Sequence, residues 1–154
     1  MKLLGISLLL SLVLSPSVHA DCSAASKEAA LSFMNTYVKY ISADDADADQ
    51  WVAESQTLST AFKTAYKKLV DDARKEDPEL GLDFDPIVDG QDFVEQFDQV
   101  KHCNETSGVL IISGKWPDSE ETMEVAVKPN KENDQWLIDG AGVINIPEAE
   151  QAQR

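Results

Sequence analysis

The chain has 154 residues, of which 43% are hydrophobic, and 28 acidic side chains face 13 basic ones for a formal net charge of −15 at neutral pH. That length and apolar fraction suit a single domain with a folded core, and the charge argues against nucleic acid or anionic lipid as a direct partner. With two cysteines and two histidines in all, there is little material for a metal centre.

The first twenty residues read as a secretory signal peptide. Lys2 supplies a positive start, residues 3–14 form an apolar run broken by Ser7 and Ser11, and Val18-His19-Ala20 offers small residues for cleavage after Ala20. The run is too short and too weakly flanked for a membrane span. Removing Lys2 leaves 12 basic against 28 acidic residues, a net charge of −16 over the roughly 134 residues that remain. The expected address is the periplasm. Lipid attachment at Cys22 is disfavoured, because Asp21 stands where a small residue belongs. Cys22 and Cys103 instead form an exported thiol pair, and such pairs oxidise. Their bridge would close a loop worth about 4–5 kcal/mol in the chain-entropy model.

Helical spacing follows. Ser23 and Ser26 suit caps, and Ala30, Phe33, Met34, Tyr37, Val38 and Ile41 predict a helix over 26–42. Asp44-Asp45-Ala46-Asp47-Ala48-Asp49 interrupts the pattern and reads as a solvated loop or a fraying helix end. A second helix is predicted over 57–75, with Leu58, Ala61, Phe62, Ala65, Tyr66, Leu69 and Ala73 on its buried face. Lys67 with Asp71, and Lys68 with Asp72, stand four apart and can pair. Pro78 and Gly81 end the helical region.

The period then changes to that of strands. Residues 97–103 and 109–112, the alternation of Met123, Val125 and Val127, and a last strand from Trp136 towards Ile144 predict four strands. Pro117-Asp118-Ser119 and residues 130–134 are the turn clusters between them. Helices first and strands second predict an α+β domain over 21–146, with N-terminal helices on a four-stranded antiparallel meander. Residues 147–154 read as a polar, disordered tail.

Two segments carry a family resemblance. One is Asp83-Phe84-Asp85-Pro86-Ile87-Val88-Asp89-Gly90-Gln91-Asp92-Phe93, and the other is Asp134-Gln135-Trp136-Leu137-Ile138-Asp139-Gly140. With Asp85, Pro86, Gln91 and Asp92 in the first and Trp136, Ile138 and Asp139 in the second, the chain resembles the exported Gram-negative proteins grouped as domain of unknown function 3828. Members of that family often carry cysteine inside the first segment, where this chain has Val88 and Gly90. The resemblance implies a cone-like fold similar to nuclear transport factor 2, with a curved sheet. It implies no single function, since that fold hosts enzymes, binding modules and scaffolds. It also implies a structural role for the first segment, as the corner between helices and sheet, with Asp92 contributing to stability.

No catalytic signature occurs in the chain. His102 is the one histidine left after cleavage, and no nucleophile motif adjoins it. Enzymes of the cone fold often use an aspartate and a tyrosine inside a cavity; Tyr37, Tyr40 and Tyr66 are available, but Tyr37 and Tyr66 lie on core-facing stripes. Asp83, Asp85, Asp89 and Asp92 lack calcium-loop spacing, and Asp45, Asp47 and Asp49 start such a loop without its glycine or closing glutamate. Turn chemistry explains both clusters better. Trp51, Trp116 and Trp136 read as core or strand anchors, and Asn104-Glu105-Thr106 matches a glycosylation acceptor. No cofactor or metal is expected. The expectation is a non-enzymatic binding module whose partner is a basic envelope protein or a small apolar ligand. Asp44, Asp45, Asp47, Asp49 and Trp51 form its candidate contact loop. The alternatives are an inhibitor or immunity-type protein for a basic cell-wall hydrolase, and a small cone-fold enzyme acting on an envelope metabolite.

Overall fold

The computed structural model describes residues 22–153; the expected signal peptide and its cleavage after Ala20 lie outside them. Helix α1 spans Ala24–Ile41, α2 spans Ala48–Glu54 and α3 spans Thr60–Glu76. Strands β1 (Gln99–Cys103), β2 (Leu110–Lys115), β3 (Thr122–Glu132) and β4 (Gln135–Ala141) follow. They form one antiparallel sheet in the order β1-β2-β3-β4, so the chain is α+β with a meander. Among the described residues no helix is long and apolar enough to cross a membrane.

Each long helix starts on a serine. Ser23 accepts from the Ser26 amide at 3.2 Å, and Ser59 accepts from the Phe62 amide at 3.1 Å. The predicted stripe of α1 is buried from Ala30 to Val38. On α3 the buried stripe is Phe62, Tyr66 and Val70. Ala61 is exposed, against expectation, because the buried stripe centres on Tyr66 and Ala61 lies about 140° around the helix from it. Leu58 precedes the helix and bridges to Ile138 of β4. These apolar faces pack on Leu110, Ile112, Val125, Val127 and Ile138 of the sheet. Cys22 and Cys103 are disulfide-bonded, with Cα atoms 6.0 Å apart, which ties the start of α1 to β1.

Three expectations are corrected. The acidic stretch is neither wholly loop nor a fraying end, because Asp47 caps a separate helix, α2. The turn cluster at 130–134 shrinks to Asn133-Asp134: β3 runs through to Glu132, and both turn residues have positive φ (48° and 64°), the pattern of a type I′ hairpin. Over its described residues, 147–153, the C-terminal tail is ordered, against expectation. It forms a 3-10 turn at Glu148–Glu150, and the Glu150 carboxylate accepts hydrogen bonds from Asn104 and Ser107. Asn104, of the acceptor tripeptide, is therefore already engaged through its side-chain amide.

The last strand also stops earlier than the apolar run suggests. It ends at Ala141, and Gly142 turns the chain with φ +57°. A Cβ there would lie 2.3 Å from the Pro86 carbonyl oxygen, so glycine lets the end of the sheet close on the segment after α3. The Val143 amide then donates to that same carbonyl at 3.0 Å.

Candidate functional site

The first of the two segments that carry the resemblance lies between α3 and β1. Its base is pinned by a two-way backbone pair, Asp85 N to Gly90 O at 2.9 Å and Gly90 N to Asp85 O at 3.2 Å. Pro86, Ile87 and Val88 between them are buried, which carries Asp85 inward. One Asp85 oxygen accepts from the amides of Ile87 (2.8 Å) and Val88 (3.3 Å). The other accepts from the Tyr37 hydroxyl of α1 at 2.6 Å. Gln91 donates to the Asp83 carbonyl at 3.1 Å. Asp92 is exposed and makes none of these bonds, so the stabilising role expected of it belongs to Asp85.

The second motif ties α3 to β4. Ile138 sits in the core. The Ser59 hydroxyl donates to Asp139 at 2.7 Å, while the backbones of Thr57 and Ser59 pair with Ile138 on both sides. Trp136 is half-buried beside Lys131 on the neighbouring strand. Both motif segments thus join a helix to the sheet, at different places.

The candidate contact loop divides. Asp44 and Asp45 are exposed. Asp47 accepts from the Gln50 amide at 3.0 Å as the cap of α2. Asp49 accepts from the Tyr66 hydroxyl at 2.9 Å through one oxygen and from the Arg74 guanidinium at 2.7 Å through the other. Trp51 does not project outward as a contact residue would: its ring lies 4.9 Å from Tyr37 and 6.0 Å from Phe33, measured between centroids. The α2 helix is held to α1 by this aromatic cluster and to α3 by Asp49.

These pieces meet at a cleft of about 820 Å³. Asp44, Asp45, Asp47 and Asp49 line one wall, residues 78–82 and 84–86 line another, and Tyr66, Val70 and Arg74 of α3 lie between them. The lining holds six carboxylates, those of Asp44, Asp45, Asp47, Asp49, Glu79 and Asp85, against the single guanidinium of Arg74. Leu80 stands on the second wall, 64% exposed, and is the one large apolar side chain so exposed among the described residues.

Two tyrosine–aspartate pairs adjoin the cleft. Burial, followed by the Asp85 carboxylate, pushes the Tyr37 hydroxyl far above its ordinary range. Burial, followed by the hydrogen bond to Asp49, does the same to Tyr66. Both hydroxyls are therefore neutral donors at physiological pH. Tyr37 is fully buried and both Asp85 oxygens are occupied, so this pair joins α1 to the corner and presents no free base or nucleophile. His102 is exposed on β1 and does not line the cleft. Among the described residues no group of three or more His, Cys, Asp or Glu is arranged to hold a metal.

Sequence reasoning found the acidic wall and missed Glu79, Leu80 and the Tyr66–Asp49–Arg74 link. Asp49 and Arg74 are 25 positions apart on different helices, and no periodic signal joins them. Compared with protein-family models, with curated proteins and with solved structures, the chain gives no match.

Proposed function

We propose that the chain is an exported, periplasmic binding module whose acidic cleft receives a basic segment of a partner protein. The single observation carrying this reading is the cleft itself, six carboxylates to one guanidinium, with that guanidinium already paired to Asp49. An isolated cation entering there meets uncompensated negative charge, and Leu80, Pro78 and Phe84 offer apolar surface to the stem of a lysine or arginine. The disulfide suits an oxidising compartment. The order of helices and then a meander is the order that the resemblance to the exported family implies. A basic cell-wall hydrolase is one partner of this chemistry, which makes the inhibitor reading a special case of the same cleft. An enzymatic reading has less support, because the Tyr37–Asp85 pair is closed upon itself.

The test is a titration of the isotopically labelled mature chain with an octalysine peptide, followed by amide NMR. Shifts concentrated at residues 44–49 and 78–82 are expected. Shifts spread evenly over the acidic surface, or absent from those residues, would overturn the reading.

A further inference from the structure

On the other side of the Asp49–Arg74 pair lies a second, smaller groove, between α2 and α3. We propose that this groove is a site for a medium-chain carboxylic acid, with the Lys63 ammonium taking the carboxylate. On α3, Lys63, Lys67, Val70 and Arg74 recur at i, i+4, i+7 and i+11, one stripe along the helix. Opposite them Val52 and Ala53 come from α2. The floor is apolar: Val52, Tyr66 and Val70 are buried residues that line the groove. Its volume is about 300 Å³, at the small end of the roughly 300–1,000 Å³ typical of ligand sites. A single unbranched chain fits that size, and a two-chain lipid does not.

Charge selects the head group. Lys63, Lys67 and Arg74 line the groove against Asp49 and Asp71, a cationic excess in a chain whose overall charge is strongly negative. Arg74 is held by Asp49 and Lys67 by Asp71. Lys63 donates to the Ala53 carbonyl at 2.9 Å and, among the described residues, forms no ion pair. Its charge is therefore the one in the groove still to be balanced. The exposed Lys67–Asp71 pair is of the kind that contributes little, so Lys67 can turn to a second anion at small cost. The two sites share Asp49, Tyr66, Val70 and Arg74 as a common wall and differ in the sign of charge they accept.

The experiment is titration calorimetry on the mature, oxidised chain with octanoate, decanoate, decanol and decyltrimethylammonium, each below its micelle concentration. Decanoate is expected to bind at one per chain. Octanoate should bind about tenfold more weakly, since each buried methylene contributes about three- to fourfold. Decanol and decyltrimethylammonium should bind at least tenfold more weakly than decanoate. Lys63→Gln should cost decanoate about tenfold, Lys63→Arg should restore most of the affinity, and Ala53→Trp should block the groove. No binding of decanoate would overturn the proposal. So would equal binding of decyltrimethylammonium, or decanoate affinity unchanged in both Lys63→Gln and Ala53→Trp.

Discussion

Two stretches of this chain carry four aspartates each and use them in opposite ways. Residues 83–92 hold Asp83, Asp85, Asp89 and Asp92; residues 44–49 hold Asp44, Asp45, Asp47 and Asp49. In the first, Pro86, Ile87 and Val88 are buried, and they draw Asp85 inward until its carboxylate takes three hydrogen bonds. In the second, alanines at 46 and 48 offer little to bury, and Asp44 and Asp45 stay in solvent. The same number of aspartates therefore supplies a structural pin in one place and a charged wall in the other. The apolar residues between the acids decide which. Asp49 stands between the two cases, because the first turn of α2 carries it onto Tyr66 and Arg74.

The comparison breaks first at Asp85. Asp85→Ala leaves the Ile87 and Val88 amides and the buried Tyr37 hydroxyl without their acceptor. A loss of about 3–4 kcal/mol follows, which lowers Tm by about 10–15 °C in a thermal melt. An unchanged Tm would remove the pin from the account.

Alkaline pH sharpens the same contrast. Tyr37 and Tyr66 titrate above their unfolded value in the folded chain, because of burial and then their aspartates. The unfolded chain thus releases these protons first as pH rises. The stability they contribute is intact below about pH 10 and falls above it, by about 1.4 kcal/mol per pH unit for each tyrosine. Denaturant melts between pH 9 and 11 should show a slope for wild type steeper than that of Tyr37→Phe by one tyrosine's share. Equal slopes would mean that Tyr37 ionises as freely in the folded state as in the unfolded one.

Smaller effects belong to the exposed acids and their partners. Arg74→Met removes an ion pair whose side chains are 56% and 42% exposed, and should cost less than about 1 kcal/mol. Asp92→Ala and the pair Asp44→Asn with Asp45→Asn should leave stability within about 0.5 kcal/mol of wild type. A Tm drop for Asp92→Ala as large as that for Asp85→Ala would erase the distinction between the pin and its neighbours.

How much of this the sequence discloses follows from the range of each signal. The stripe from Ala30 to Val38 is a local periodicity and appears in the fold as read, whereas the alternation of Met123, Val125 and Val127 marks a strand but not its burial: Ala126, between them, is buried too, against Val109 and Ile146 on the other face of the sheet. The Cys22–Cys103 bond was legible from residue type and the expectation of export. Helix α2 was not, because seven residues rich in acid carry one buried side chain, Val52, and too few turns for a period to emerge. The tail was misread because its order comes from Glu150 meeting Asn104 and Ser107, contacts more than 40 positions apart. The cleft was half legible. Its acidic wall is contiguous in sequence, whereas Glu79, Leu80, Asp85 and Arg74 join it through the packing of α3 and the corner.

Two sets of charge-neutralising substitutions of equal size separate attraction by the cleft from attraction by the general acidity of the chain. Asp44→Asn, Asp45→Asn and Glu79→Gln together remove three cleft charges; Glu28→Gln, Glu95→Gln and Glu105→Gln together remove three exposed charges that do not line it. Octalysine affinity, read by fluorescence anisotropy at fixed ionic strength, should fall at least tenfold for the cleft triple and no more than about twofold for the other. This contrast is the one expected when close, unscreened charges outweigh those beyond a Debye length of about 8–10 Å. Equal losses in the two triples would contradict the account, leaving the charge of the whole chain, and not the cleft, as the source of attraction.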